Sequence, residues 1–286
     1  MDTQAVLEWF DAVERPLPWR EPGTSAWGVL LSEVMSQQTP VARVAPQWKE
    51  WMERWPTPQD LAGASKSEVL RAWGKLGYPR RALRLWECAK EIGDGEVPGD
   101  VDKLLALPGI GEYTARAVAC FHFGRNVPVV DTNVRRVYAR AVDGRFLAPA
   151  PSKRELKQVE ALLPEKNGPR FSAALMELGA LVCTAKNPEC AACPIKATCA
   201  WQLAGCPEPS EAEAARAKKR VQKFTGTDRQ VRGLLLDVLR ASPNPVPQSD
   251  LDAVWEDAAQ RARALGSLLE DGLMEQNEEG LFHLPH

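Results

Sequence analysis

The chain has 286 residues, 44% of them hydrophobic, with 36 basic and 38 acidic side chains and a net charge of −2. That length supports one large domain or two modest ones with real cores, and the near-neutral balance excludes a globally basic nucleic-acid binder. No apolar run approaches the ~20 residues that span a bilayer. The opening, Met1–Phe10, is acidic and amphipathic and lacks a signal peptide's charge pattern, which predicts a cytoplasmic protein without a membrane partner. Basic surface is confined to three local groups: Arg80/Arg81/Arg84, Arg135/Arg136/Arg140 and Lys218/Lys219/Arg220/Lys223. Each alone reads as a solvated helix face.

In chain order, nearly everything before residue 206 reads as short helices. Apolar positions over 58–92 (Leu61, Val69, Leu70, Trp73, Leu76, Leu83, Leu85) recur at three- and four-residue spacing. Thr57-Pro-Gln-Asp and Ser65-Lys-Ser-Glu are helix starts, with Ser65 and Glu68 placed as a capping box. The helical pattern continues over 101–107, 112–123, 131–142, 153–163 and 170–182, with Asn126–Val130 briefly extended. Residues 207–224, Pro-rich and then Glu/Ala/Lys/Arg-rich, read as a linker. Beyond it, 228–241, 248–256 and 258–271 read as three helices leading to a hairpin turning at Asn277–Gly280, the pattern of a winged helix. A small packing domain without DNA contact is the alternative.

Two stretches carry chemistry. Leu107-Pro-Gly-Ile-Gly-Glu-Tyr-Thr-Ala115 is a Pro-Gly-x-Gly turn opening a helix, where exposed backbone N–H groups at Gly109 and Gly111 can receive a phosphate. A lone acid, Asp131, follows the chain-reversing Gly124–Pro128 segment at the start of the next helix. A phosphate grip and a carboxylate joined by one helix and one loop suggest chemistry on nucleic acid.

Cys183, Cys190, Cys193 and Cys199 are spaced C-x6-C-x2-C-x5-C. A cytosolic chain keeps thiols reduced, so four clustered cysteines point to metal rather than disulfides. The spacing alone allows an iron–sulfur cluster or tetrahedral zinc. Cys88, Cys120 and Cys206 fall outside it and read as free thiols. Lys186 sits in the six-residue loop, where a pinned backbone could present it to a phosphate.

Together these features resemble the helix-hairpin-helix DNA glycosylases with an iron–sulfur cluster, specifically the adenine-specific mismatch glycosylases (the MutY family). The likeness covers residues 5 to about 206. Its motifs, in family order, are Arg15-Pro-Leu-Pro-Trp-Arg20, Leu31-Ser-Glu-Val-Met-Ser-Gln-Gln-Thr39, Trp73-Gly-Lys-Leu-Gly-Tyr78, Leu107–Thr114, Val130-Asp-Thr-Asn133, Glu177-Leu-Gly-Ala180 and the four cysteines. The resemblance implies a mainly α fold. A helix-hairpin-helix glycosylase domain spans 1–206, with a six-helix barrel subdomain at about 25–130 and an iron–sulfur subdomain made of the N-terminus plus 131–206. A linker at 207–224 and a small winged-helix-like domain at 225–286 complete it.

By the same resemblance the four cysteines hold a [4Fe–4S] cluster. Glu33 protonates the purine at N7, Asp131 stabilises the oxocarbenium-like sugar, and Asn133 orients Asp131 or the water. Tyr113 replaces the lysine with which bifunctional relatives form a Schiff base, so hydrolysis without lyase activity is expected. Arg15, Trp19, Arg20, Ser36, Val41 and Glu177 line the base pocket. Gln38 and Tyr78 wedge into the duplex beside the opposite base, with Gln37, Thr39 and Arg80 nearby, while Gly109, Gly111, Thr114 and Lys186 hold backbone phosphate. The partner is double-stranded DNA carrying adenine opposite 8-oxoguanine or guanine, bound by a monomer at a bacterial-type nucleoid.

Three departures bear on substrate. Ser36 stands where the family usually has leucine, Pro79 where many members have a second tyrosine, and the tail after 225 is shorter and more helical than the usual β-rich domain that reads 8-oxoguanine. They motivate a same-fold glycosylase for another damaged or mispaired base as the alternative. A non-enzymatic DNA-scanning or redox-sensing iron–sulfur protein is the other.

Overall fold

The computed structural model describes residues 1–219 and 224–286; the side chains of the basic run Lys218, Lys219, Arg220 and Lys223 lie outside the described residues. The first stretch holds α1 (Thr3–Val13), α2 (Ala26–Met35), α3 (Val41–Arg54), α4 (Pro58–Ala62), α5 (Lys66–Trp73) and α6 (Arg80–Ile92). Next come α7 (Val101–Leu105), α8 (Glu112–Phe121), α9 (Thr132–Ala141), α10 (Arg154–Glu160) and α11 (Gly168–Leu181). The rest is α12 (Ala200–Leu203), α13 (Glu211–Lys219), α14 (Asp228–Ala241), α15 (Gln248–Asp252), α16 (Ala258–Glu270), and two short strands, β1 (Glu275–Gln276) and β2 (Phe282–His283). No helix among the described residues is long and apolar enough to cross a membrane.

Local chemistry starts these helices where the sequence predicts. Ser65 Oγ accepts the Glu68 N–H while the Glu68 carboxylate accepts the Ser65 N–H at 3.0 Å. Thr57 and Asp60 make the same reciprocal pair at the start of α4. Each box satisfies donors that a helix start would otherwise leave orphaned. Gly168 and Pro169 open α11 behind Asn167, in keeping with proline's tolerance in a first turn.

The chain divides into two compact units. The first comprises the described residues of Met1–Val29, Pro98–Leu105 and Gly111–Val221. Its core joins Val6 and Phe10 of α1, Val134 and Val137 of α9, and Phe171 and Leu178 of α11. A satellite cluster of Ala117, Cys120 and Val129 sits under α8 and the extended segment, with Tyr113 packed against it. Arg140 is buried at 1% exposure, its guanidinium 4.2 Å from the Phe146 ring centroid and bonded to the carbonyls of Phe146, Thr184 and Ala185. Those bonds offset the charge's desolvation and pin the loop after α11.

The second unit comprises the described residues of Leu30–Val97, Ala106–Ile110 and Gln222–His286. Trp51 packs edge-on against Trp55 and Trp73, at centroid distances of 4.9 and 5.6 Å, and its indole N–H donates to Ala72 O. The C-terminal region runs through α14, α15 and α16 to the β1–β2 hairpin. β1 and β2 pair antiparallel, and Val246 bridges Phe282 as a third edge. Arg71 donates to the carbonyls of Leu239 and Arg240 at 2.9 and 2.5 Å, a cation at the end of α14, while Arg240 Nε returns a bond to Leu70 O. The C-terminal region therefore groups with 30–97 in one compact unit. Within the expected linker, α13 is an ordinary helix: Ser210 and Glu213 form a third capping box ahead of a run of strong helix formers.

Replacing Ser65 by Ala removes one half of a capping box. Chemical denaturation should show a loss of about 1 kcal/mol with an unchanged m-value.

Candidate active site and duplex contacts

Asp131 ends the extended segment and caps α9. Its Oδ1 accepts the Val134 N–H at 2.7 Å and its Oδ2 accepts the Asn133 side-chain amide at 2.8 Å. The orientation of that amide is set from its other end. Arg136 donates to Asn133 Oδ1 at 2.6 Å, and also to Gly179 O and Cys183 O at 2.6 Å each. With its oxygen engaged by a guanidinium, Asn133 is left to donate toward the carboxylate. Gly179 is what lets α11 come this close to α9. A Cβ there would sit 2.6 Å from Asn133 Cβ and 2.9 Å from its carbonyl oxygen.

Burial pushes the Asp131 carboxyl above the usual aspartate value, and the bonds from Val134 and Asn133 and the charge of Arg136 pull it back only in part. A raised folded-state value means the fold favours the protonated acid. That contribution is full at low pH and is lost as pH rises through the folded pKa. Ionised Asp131 at neutral pH is thus a stability cost, the mark of a functional rather than a structural carboxylate. Tyr113, on the first turn of α8, packs on Val129, two residues before Asp131.

A second charged group lies in the same unit. Glu177 of α11, 1% exposed, accepts Arg15 Nε at 2.5 Å, Arg15 Nη2 at 2.9 Å, the Arg15 backbone N–H at 3.3 Å and Arg20 Nη2 at 3.2 Å. Burial pushes this carboxyl up, but the two guanidiniums outweigh it and hold Glu177 below the usual range. The Arg15–Arg20 segment is therefore fastened to α11, with Trp19 half-buried between the arginines.

In the other unit, Glu33 is buried at 9% exposure in α2. Ser36 lies half-buried just beyond the end of that helix, its N–H donating to Ser32 O at 2.9 Å, and half-buried Val41 opens α3. Gln38 and Tyr78 both adopt left-handed backbone, with φ of 54° and 49°. Non-glycine residues there are strained by about 1–3 kcal/mol, and such strain gathers at functional positions. Tyr78 is 40% exposed and Gln38 is exposed.

One side chain ties the two loops together. Arg81 donates to Val34 O at 2.8 Å and Gln37 O at 2.6 Å on one side, and to Leu76 O at 3.3 Å and Gly77 O at 3.0 Å on the other. Its guanidinium lies 5.3 Å from the Trp73 ring and 5.5 Å from the Tyr78 ring. Burial lowers its pKa to about 10, so it stays charged at neutral pH. Thr39 adds a bond to Leu76 O at 3.0 Å, which gives that buried hydroxyl a clasping role.

Other expected contacts are placed as follows. Gly109 has φ +76°, and a Cβ would meet Arg84 Cβ at 2.7 Å, so the hairpin turn needs glycine there. A Cβ on Gly111 would meet nothing within 4 Å, which leaves open space at the start of α8. Thr114 is only 2% exposed. Arg80 is ion-paired to Asp271, which offsets the charge expected to grip phosphate. Lys186 is exposed in the loop between Cys183 and Cys190.

Cys183, Cys190, Cys193 and Cys199 line one small cavity with Ile195 and Trp201. Arg140 Nη1 lies 3.4 Å from Cys183 Sγ. Among the described residues no three His, Cys, Asp or Glu side chains converge tightly enough for a single ion. The four thiols thus share one cavity wall with a guanidinium beside Cys183.

Sequence reasoning did not single out Arg81, Arg136, Arg140 or Gly179 for these roles. All act across 40 or more residues of chain or through backbone carbonyls, which leave no spacing signal; for Gly179, its place in a matched motif was the available hint. Gly179→Val should displace Asn133 and lower both stability, by about 1–3 kcal/mol, and activity. Arg81→Met should lower the melting temperature and weaken DNA binding.

Residues 31–160 match the model of the HhH-GPD superfamily of base excision DNA repair proteins. An adenine DNA glycosylase of Mycolicibacterium smegmatis is 60% identical over 284 residues, covering 98% of this chain and 94% of that protein. Among solved structures, a thermostable thymine-DNA glycosylase aligns with a TM-score of 0.65 and 27% identity over 71% of this chain and 95% of its own. A trapped endonuclease III–DNA covalent intermediate aligns with a TM-score of 0.62 and 25% identity over 72% and 95%. The chain therefore belongs to the adenine DNA glycosylase family of helix-hairpin-helix base excision repair proteins.

Proposed function

We propose that this protein is a DNA N-glycosylase that removes adenine mispaired with 8-oxoguanine or guanine by hydrolysing its glycosidic bond. Breaking that bond places positive charge on the sugar and negative charge on the leaving purine. Asp131 meets the first demand. It is a half-buried carboxylate with both oxygens held by donors, so it faces a developing cation without having to reorganise. Glu33 meets the second by delivering a proton to N7 of the base. This reading is carried by Asp131, whose environment raises its pKa yet keeps hydrogen-bond support for the ionised form.

Tyr113 supplies a phenol where a covalent lyase needs an amine, so the product is an intact abasic strand. Arg15, Trp19, Arg20 and Glu177 of the first unit offer a wall for the excised base, and Ser36 and Val41 are assigned to it by resemblance alone. Gln38 and Tyr78 fill the gap left by the extruded nucleotide, their strained backbones fixing the side chains before DNA arrives. The open approach at Gly111 and the N-terminal N–H groups of α8 suit a backbone phosphate.

Cys183, Cys190, Cys193 and Cys199 would hold a [4Fe–4S] cluster, which when bound staples the loop that they span. The chain's own contribution there is Arg136, whose bond to Cys183 O ties that loop to Asn133 and hence to Asp131.

Single-turnover assays should release adenine from A:8-oxoguanine and A:G duplexes, with strands cut only after alkali and no borohydride-trapped adduct. Release of no base, or a trapped adduct, contradicts the reading. Asp131→Asn and Glu33→Gln should each lower the rate by 10²-fold or more, on the order of a general acid–base contribution. Asn133→Ala removes a bond that lowers the Asp131 pKa, so the acidic limb of the pH–rate profile should move to higher pH.

A further inference from the structure

Charges of alternating sign run outward from the Glu177 clasp of the first unit, in the order Arg15, Glu177, Arg20, Glu14, Arg170 and Asp11. The two arginines on Glu177 are not equivalent. Arg15 grips it with Nε, Nη2 and its backbone N–H, whereas Arg20 reaches it with Nη2 alone, at 3.2 Å. The other arm of Arg20 is held loosely. Its Nη1 lies 3.4 Å from Arg15 O and 3.9 Å from Glu14 Oε1, the second an ion pair too long for a hydrogen bond. Arg15 is therefore the fastening, and Arg20 is the guanidinium with an arm left to donate.

Glu14 itself is fixed from behind. It closes α1, its N–H donating to Phe10 O at 2.9 Å. Its Oε2 lies 3.1 Å from Arg170 Nη2, and Arg170 is anchored in turn by Asp11, which accepts its Nε at 2.7 Å. The Arg20 and Arg170 guanidiniums both lie over the ring of Phe10, a core residue, at 5.5 and 4.9 Å from its centroid. A buried ring thus spaces the two cations, with Glu14 shared between them. Arg15, Glu177, Arg20 and Glu14 balance in charge. Without Glu14 the clasp keeps an unbalanced positive charge, and Arg20 has Glu177 alone to turn to.

We propose that Glu14, held by Arg170, is a positioning residue for Arg20, keeping its Nη1 arm off Glu177 and available to the ring nitrogens of the purine in the base pocket. The inference rests on the function proposed above and deepens it. Adenine's ring nitrogens are acceptors and a guanidinium carries donors only, so what matters is how many of those donors Glu177 takes. Where Arg20 closes onto Glu177 with both arms, the purine meets a guanidinium whose donors are already engaged. Glu14 acts through Arg20, so its effect falls on capture of the base and not on the step that breaks the bond. Its side chain is 32% exposed, which makes the pull on Arg20 modest and open to screening by salt.

Single-turnover base release from an A:G duplex by the full-length protein yields a half-saturating protein concentration and a limiting rate. Glu14→Gln should raise the first by about three- to fivefold, the scale of an exposed ion pair, and leave the limiting rate and the melting temperature unchanged. Loss of an acidic charge by itself would tighten DNA binding, so bulk charge predicts the opposite sign. The ratio to wild type should fall toward one as salt rises, and in an Arg20→Ala background Glu14→Gln should add nothing. In the protein without DNA, the Arg20 Nε–Hε NMR signal should shift in Glu14→Gln while that of Arg15 stays. An unmoved half-saturation, a fall in the limiting rate, an undiminished effect without Arg20 or an unmoved Arg20 signal would overturn the assignment. Absence of base release by wild type would contradict the function instead, and the NMR arm would still decide the placement of Arg20.

Discussion

The bonds that the Val134 N–H and the Asn133 amide donate to Asp131 set the terms for the rest of the first unit. A carboxylate taken out of water is disfavoured unless donors replace the lost hydration. The fold supplies two and then spends further residues keeping them aimed. Arg136 fixes Asn133, Gly179 makes room for it, and α9 and α11 must cross closely enough for both to act. The carboxyl is left with a raised pKa and partial support for its ionised form, a compromise that suits charge stabilisation better than stability.

The second unit solves a different problem with a similar device. Arg81 there plays the part that Arg136 plays in the first, a buried guanidinium satisfied mainly by backbone carbonyls and holding two loops in one register. Five donors in a fixed plane allow one side chain to bond carbonyls from both loops, which lysine cannot match. Gln38 and Tyr78 can then occupy strained backbone that neither loop would keep alone. Arg71 at the end of α14 is a third case, fastening the C-terminal region to the helices at whose edge Tyr78 stands.

Much of the architecture was legible in the chain. The helix start at Thr57, the capping box at Ser65, the helices on either side of Asp131, and the three helices and hairpin after residue 225 all follow from local spacing, and the structure has them. Asp131 was visible as a helix cap because capping is a local contact. The box at Ser210 was equally local and was overlooked under a Pro-rich start, which made a helix look like a linker. What the chain does not display is which charges are consumed internally. Arg80, Arg81 and Arg136 look alike in sequence, yet one pairs with Asp271, one clamps two loops and one orients an amide. Thr114 shows the same limit for polar side chains. Its motif suggests a surface hydroxyl and its helix face buries it.

The central claim is that Asp131 is a half-buried acid with an elevated pKa and specific support for its charge. Carbon-13 NMR titration of its side-chain carboxyl in the intact protein tests this directly. The account predicts a midpoint above the ordinary aspartate value, moving further up when Asn133 is replaced by alanine. A midpoint at or below the ordinary value, or one indifferent to Asn133, would contradict it.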